Sequence, residues 1–232
     1  MTLRARLMVL FPALHVTALF AAIVWFVLSR TPWALAAIPL AAYALPLLAF
    51  HLHQIVCPLR EGTFSIVQGY SPWFGTHMIQ QGFIAMPFLE SILRLFPGAF
   101  SLWLRLWGAR IGRNVYFAPG FEIADRGLLE IGHHVIFGYG VKMSSHYITP
   151  SRQYGGMKLY VRGLRFGDRC FVGAGSRFGP GVTVQAGAFV RADTDHYPDT
   201  VVEARKRETA EPATTDPAPV ETGAPHSGTV EE

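Results

Sequence analysis

Hydrophobic and polar positions divide this chain into regimes of different period. Residues 7–28 are almost wholly apolar, interrupted by Pro12, His15 and Thr17, and residues 33–50 are apolar again, with Pro39 and Pro46. A helix needs about 20 such residues to cross roughly 30 Å of hydrocarbon. Both runs therefore predict spanning helices, the second with residues 51–56 completing its interfacial end. Ser29-Arg30-Thr31-Pro32 between them leaves room only for a tight connection. Neighbouring helices can satisfy the carbonyls that the prolines free. A cleaved signal peptide is the competing reading, with Arg4 and Arg6 as its positive start and Ala34-Leu35-Ala36 as a cleavage-like site. A second apolar run following at once argues against it.

From Ile111 the period changes to six. An aliphatic or aromatic residue recurs at Ile111, Phe117 and Ile123, at Ile131, Phe137 and Met143, and at Phe166, Val172, Phe178, Val184 and Val190. A small residue follows most of them, as at Gly112, Gly132, Gly138, Gly167 and Gly173. Six fits neither a helix nor a plain strand. It predicts a parallel β-helix, in which the apolar residue fills a prism, the small one sits near a corner, and each coil stacks on the last. Two extra residues between Ile123 and Ile131 predict a bulge at residues 125–127. Residues 148–163, with Pro150, Gly155 and Gly156, read as a loop thrown out of the prism.

Between these regimes, Ser71-Pro72 is a helix-start signal. A dense aromatic and aliphatic stretch follows until Pro97-Gly98, and a short helix begins at Ser101. Trp, Phe and Arg mixed so closely predict helices lying in the headgroup layer, with ordinary packing against the first coil as the alternative. The expected organisation is a transmembrane hairpin over 1–58, interfacial helices and linker over 59–107, the β-helix over 108–202, and a disordered tail over 203–232.

The hexads and the segments flanking the loop carry a resemblance. Residues 140–146 (GVKMSSH), residues 166–184 (FGDRCFVGAGSRFGPGVTV) and residues 190–198 (VRADTDHYP) resemble the hexapeptide-repeat acyltransferases, in particular the maltose/galactoside/xenobiotic O-acetyltransferase subgroup. Residues 61–112 more loosely resemble the membrane-embedded terminal region of certain peptide synthetases. The resemblance implies a left-handed parallel β-helix, a homotrimer, and acetyl-CoA or a longer acyl-CoA as donor with no permanently bound cofactor. It also places the catalytic histidine at His146, just before the loop.

Histidine suits that role, because acyl transfer to a hydroxyl needs a base that titrates near neutrality. Asp125, at the bulge one coil earlier, would orient that imidazole or bind the acceptor; the alternative is a turn aspartate capping its own backbone. Gly173, Ala174, Gly175, Gly179 and Gly181 would leave a groove where a pantetheine arm lies flat, with a free amide to polarise the thioester. Arg205 and Lys206 would meet the nucleotide phosphates. Ala118 stands where the family often has an asparagine that holds the acceptor. His133 and His134 fall at a solvent-facing corner, and no close histidine pair on successive coils supports a zinc site.

Composition sharpens this picture. Half of the 232 residues are hydrophobic and 16% are charged, and mean hydropathy is +0.27, values that fit a membrane segment. The two cysteines make no disulfide framework, and Cys170 falls in an inward slot. No basic stripe alternates with aromatics, so nucleic acid is not a partner. Arg4, Arg6 and Arg60 flank the hairpin on one side, which puts both termini and the β-helix in the cytoplasm of a multi-pass inner-membrane protein. The expected function is acyl transfer to a hydroxyl or amine on a small molecule, a glycan or a lipid-linked glycan. A non-catalytic membrane scaffold, a metal-dependent hydratase or hydrolase, and an accessory module of a peptide-synthesis system are the rivals.

Overall fold

The computed structural model describes residues 2–67 and 69–204. Two N-terminal helical rods run over Leu3–Ser29 and Pro32–Val56, both long and apolar enough to cross a membrane and mostly unburied. The first comprises α1 (Leu3–Val9) and α2 (Phe11–Ser29). The second comprises α3 (Pro32–Pro39), one wider turn over Leu40–Ala44 that accommodates the prolines, and α4 (Leu45–Val56). Arg30 closes the turn between them in a left-handed conformation. The rods are tied midway, where the buried His15 Nε2 donates to the Ala42 carbonyl at 3.1 Å.

Residues 110–202 form the stacked prism that the six-residue beat predicts. One wall stacks β2 (Arg110–Ile111), β5 (Leu129–Ile131), β10 (Leu164–Phe166), β13 (Thr183–Val184) and β16 (Val201–Val202). A second stacks β3 (Tyr116–Phe117), β6 (Ile136–Phe137), β11 (Phe171–Val172) and β14 (Phe189–Val190). The third stacks β4 (Glu122–Ile123), β7 (Lys142–Met143), β12 (Arg177–Phe178) and β15 (Asp195–His196). All neighbours within these walls are parallel, so each coil satisfies the backbone of the next. In most of the two-residue strands the first residue is exposed and the second buried. Phe117 and Phe137 stack inside at 5.4 Å, and Phe137, Phe166 and Phe178 continue the column edge-on. Each such burial contributes about 1.5–3 kcal/mol.

The corner chemistry differs from the sequence expectation. The left-handed residue is the third after each inward one, as at Asn114, His134, Arg169 and Gly175. The small residue directly after the inward one is needed instead for stacking: a Cβ on Gly138 would collide with the backbone of Ala174 in the coil above. Cys170 is buried, and burial pushes its thiol up to about 11, as an inert core group requires.

The ejected segment is not a loop. β8 (His146–Ser151) and β9 (Gly156–Val161) make an antiparallel hairpin, and β1 (Gly62–Ser65) adds a third strand. Leu159 and Val161 of this sheet pack with Trp73 in a small satellite core. Pro150 and the glycine pair masked the strands in sequence, although Gly155 only forms the turn, at φ +69°.

Helix α5 (Pro72–Ala85) lies between the rods and the prism. Gly75 is closed upon by Tyr70 and His53, and Gly82 by His15, so only glycine lets the rods approach. The apolar stretch then breaks at Met86–Pro87 into α6 (Phe88–Arg94), followed by α7 (Ala99–Leu106). Trp103 and Trp107 are buried against Phe83, and Trp107 also packs on Phe50 of the second rod at 4.9 Å. These helices therefore use one face for the packing that the sequence reading held as its alternative, while Phe88, Leu95, Phe96 and Leu102 remain exposed.

Candidate active site

The bulge at residues 125–127 turns two charged side chains inward, and α5 and α6 are built to receive them. Asp125 and Arg126 are each 1% exposed. Arg126 makes a two-pronged ion pair with Glu90, at 2.6 and 2.8 Å, and its backbone N–H donates to Gln80 Oε1 at 2.8 Å. Glu90 Oε1 also accepts from the Trp103 indole at 2.9 Å. A buried ion pair persists only where such further bonds complete it. Its effect is to pin the bulge, and with it Asp125, against α5.

Asp125 accepts three hydrogen bonds. The Trp73 indole donates to Oδ1 at 2.9 Å, and the Ser145 amide donates to Oδ2 at 3.0 Å. His146 Nδ1 lies 2.6 Å from Oδ2. Burial alone raises the carboxyl's pKa. The bonds and charges of His146 and His77, with the Trp73 bond, outweigh it and hold the group ionised below the usual carboxylate range. With Nδ1 2.6 Å from the carboxylate, the ring turns its Nδ1–H to Asp125, and Nε2 is the nitrogen left to meet a substrate proton.

The His146 ring packs at 4.4 Å from Trp73 and edge-on to His77 at 5.4 Å. Burial, with His146 and Arg126 nearby, pushes His77 below the ordinary histidine value despite the attraction of Asp125. His77 is thus biased toward its neutral form beside the base.

His146 lines a cleft of about 660 Å³ between the third wall of the prism and the α5–α6 corner. Phe83, Ile84, Pro87 and Phe121 line it together with charged and polar residues, among them Glu122, Lys142, Arg177, Asp195 and His196. Gly179 and Pro180 also line it.

The other predicted donor-site residues do not meet there. Gly173 and Gly175 face the backbone and side chain of residues 191–193 in the next coil, so that space is filled, not an open groove. The amides of Gly173, Gly175, Gly179 and Gly181 already donate to Val190, Tyr139, His196 and Arg162 carbonyls, which leaves none of the four to polarise a thioester. Ala174 sits at the same corner, and Gly181 is approached by Asp199. Arg205 and Lys206 lie outside the described residues. His133 and His134 are exposed at a corner, as expected.

The sequence reading missed Trp73, His77, Gln80, Glu90 and Arg126. Polar residues at His77 and Gln80, spaced for one face after Trp73 in a largely apolar helix, were the available signal.

His77, Asp125 and His146 offer ligand atoms within 4.8 Å of one another, a donor set that zinc accepts. The geometry does not fit an ion. Both Asp125 oxygens face N–H donors, and the 2.6 Å Nδ1–Oδ2 separation is that of a hydrogen bond. Two tetrahedral ligands about 2.1 Å from a metal would lie roughly 3.4 Å apart.

No protein-family model matches the chain, and no curated protein matches it. Among solved structures, it is similar to a hexapeptide-repeat-containing acetyltransferase from Vibrio cholerae, with a TM-score of 0.35 and 16% identity over 51% of this chain and 85% of that one. It is similar also to a maltose O-acetyltransferase from Clostridium difficile 630, with a TM-score of 0.32 and 16% identity over 51% of this chain and 79% of that one. A galactoside acetyltransferase in complex with coenzyme A gives a TM-score of 0.32 and 15% identity over 52% and 77% of the two chains. Likeness this distant lends no weight to an activity, and the functional reading stands on the site.

Proposed function

We propose that this chain is a membrane-anchored acyltransferase that moves an acetyl or longer acyl group from acyl-CoA to a hydroxyl. The observation that carries the reading is the 2.6 Å contact between His146 and the buried, triply bonded Asp125 at the edge of the 660 Å³ cleft. An orienting carboxylate on Nδ1 with Nε2 at a cleft is the arrangement that general-base catalysis needs. The acceptor oxygen bonds to the thioester carbonyl carbon while Nε2 takes its proton. The C–S bond then breaks, and the proton passes from Nε2 to the departing sulfur. Asp125 holds the imidazole and stabilises its transient positive charge. The donor is assigned from the resemblance of residues 108–202 to the hexapeptide acyltransferases. An amine acceptor would use the same base.

Two features support the setting. The unburied apolar rods supply a multi-pass anchor, and the basic residues beside them favour the cytoplasmic side of an inner membrane. The outer face of the second wall carries Tyr116, Ile136, Phe171 and Phe189, all exposed, with Phe171 and Phe189 stacked at 5.2 Å. An apolar column on an otherwise charged prism suits contact with further copies in a homotrimer. The test is turnover of radiolabelled acetyl-CoA by the detergent-purified full chain against lipid and sugar extracts. Wild type yields labelled acceptor, and His146→Ala loses about 10²–10⁴-fold in rate. Equal turnover by both proteins overturns the assignment and favours the non-catalytic scaffold.

A further inference from the structure

Where α5 and α6 line the cleft, at Ile84 and Pro87, it adjoins an uncovered apolar surface. Ile84 and Pro87 at the lip continue outward to Phe88, 56% exposed, Ile92, and Leu95, 77% exposed. The ionisable groups of α6 and α7 are turned to partners within the protein, although Arg94 and Arg105 keep their positive charge. Glu90 is held by Arg126, Arg94 donates to the Phe121 carbonyl at 2.8 Å, and Arg105 donates to the Ile111 and Gly112 carbonyls. Even the Ser91 hydroxyl returns to the Pro87 carbonyl. Such a surface suits hydrocarbon better than water.

Its level along the anchor can be read from a hydrogen bond. The Tyr43 hydroxyl donates to the Leu89 carbonyl of α6 at 2.8 Å, and Tyr43 packs edge-on to Trp103 of α7 at 5.4 Å. At about 1.5 Å per residue, Tyr43 lies roughly 17 Å from Pro32 and 20 Å from Val56. With the rods crossing about 30 Å of hydrocarbon, α6 is level with acyl chains and not merely with headgroups. The lip of the cleft then opens sideways into one leaflet.

We propose, on the strength of the acyl-transfer reading above, that the acceptor is a bilayer amphiphile. Its hydrocarbon chain lies against α6, and its hydroxyl enters past Ile84 and Pro87 to reach His146. The part of the cleft lined by Arg177 and Asp195 receives the headgroup or the donor.

The test uses full-length protein in phosphatidylethanolamine/phosphatidylglycerol nanodiscs and two photoreactive C16 alcohols, one with a diazirine beside the hydroxyl and one with it at the far chain end. Adducts are mapped by peptide mass spectrometry. The proposal expects the head-end probe to label the cleft at residues 121–147 and 177–180, and the tail-end probe to label residues 84–96. Phe88→Ser and Ile92→Ser, both at exposed positions, should each lower cleft labelling by the head-end probe about threefold or more. Labelling confined to the outer faces of the rods, or identical patterns from the two probes, overturns the proposal. Labelling does not require turnover, so failure of the acyl-transfer reading shows separately, in the acetyl-CoA assay.

Discussion

Asp125→Asn poses a question that only one neighbour can answer. The carboxylate accepts from three donors: Trp73 Nε1 on Oδ1, and the Ser145 amide and His146 Nδ1 on Oδ2. An asparagine must point its NH₂ at one of these sides. Toward Trp73, it opposes the indole N–H and leaves His146 in its working tautomer. Toward Ser145 and His146, it opposes the amide N–H and forces Nδ1 to accept, which moves the proton to Nε2 and removes the base. Each orientation strands one buried donor pair, at about 1–3 kcal/mol, so neither is strongly preferred. A wrong tautomer costs about 10⁴-fold in hydrolytic triads, so only the productively oriented share of Asp125→Asn, about half, turns over, and that share also lacks the carboxylate charge that stabilises the imidazolium. Adding Trp73→Phe removes the opposing indole and shifts the orientation ratio by about 1–3 kcal/mol, about 5- to 150-fold, which takes the productive share from about half to nearly all and restores up to about twofold in rate. The double variant should therefore be more active than Asp125→Asn, although Trp73→Phe alone weakens the wild type. Labelled acetyl-CoA turnover measures all four proteins. If Trp73→Phe lowers the rate by the same factor in both backgrounds, the hydrogen-bond account of this site is refuted.

Other outcomes follow from the same geometry. Glu90→Gln leaves Arg126 buried without its counter-charge and should cost about 3–5 kcal/mol of stability by denaturant unfolding, with much of it recovered in Glu90→Gln/Arg126→Met. Gly138→Ala, whose Cβ would strike the Ala174 backbone, should cost about 1–3 kcal/mol. Gly187→Ala, at φ +72° with open space around it, should cost only about 1 kcal/mol of backbone strain in the same assay. Asp125 has its folded pKa lowered, so its contribution is complete above the unfolded value near 3.9 and is lost as pH falls through the folded one. The gap in thermal stability between wild type and Asp125→Asn should therefore hold down to about pH 4 and narrow as pH falls further. Chelation with EDTA should leave turnover unchanged, since the Asp125 oxygens are engaged by N–H donors; loss restored by zinc would count against the base assignment.

The repeat was legible because every inward residue meets the same surroundings, so Ile111, Ile131, Phe166 and Val184 show one rule in four copies. The two apolar rods and the bulge at residue 125 were legible for similar reasons: length in one case, a broken count in the other. What escaped depends on contacts far apart in the chain. Trp73 meets Asp125 across 52 positions, and Glu90 meets Arg126 across 36. No local period encodes either. The β8–β9 hairpin was hidden by its own turn residues. The glycines of the expected donor groove were read for the space they leave, when the next coil occupies that space.

The placement of α5 has a practical corollary for anyone wishing to crystallise this protein. Trimming the chain at residue 107 would keep the coils and discard α5, α6 and α7, and it would be the wrong molecule. Its imidazole would have lost the indole ceiling and its bulge the clamp beneath, leaving the carboxylate open to solvent. Inactivity of such a fragment would speak of the missing roof and not of the intact protein.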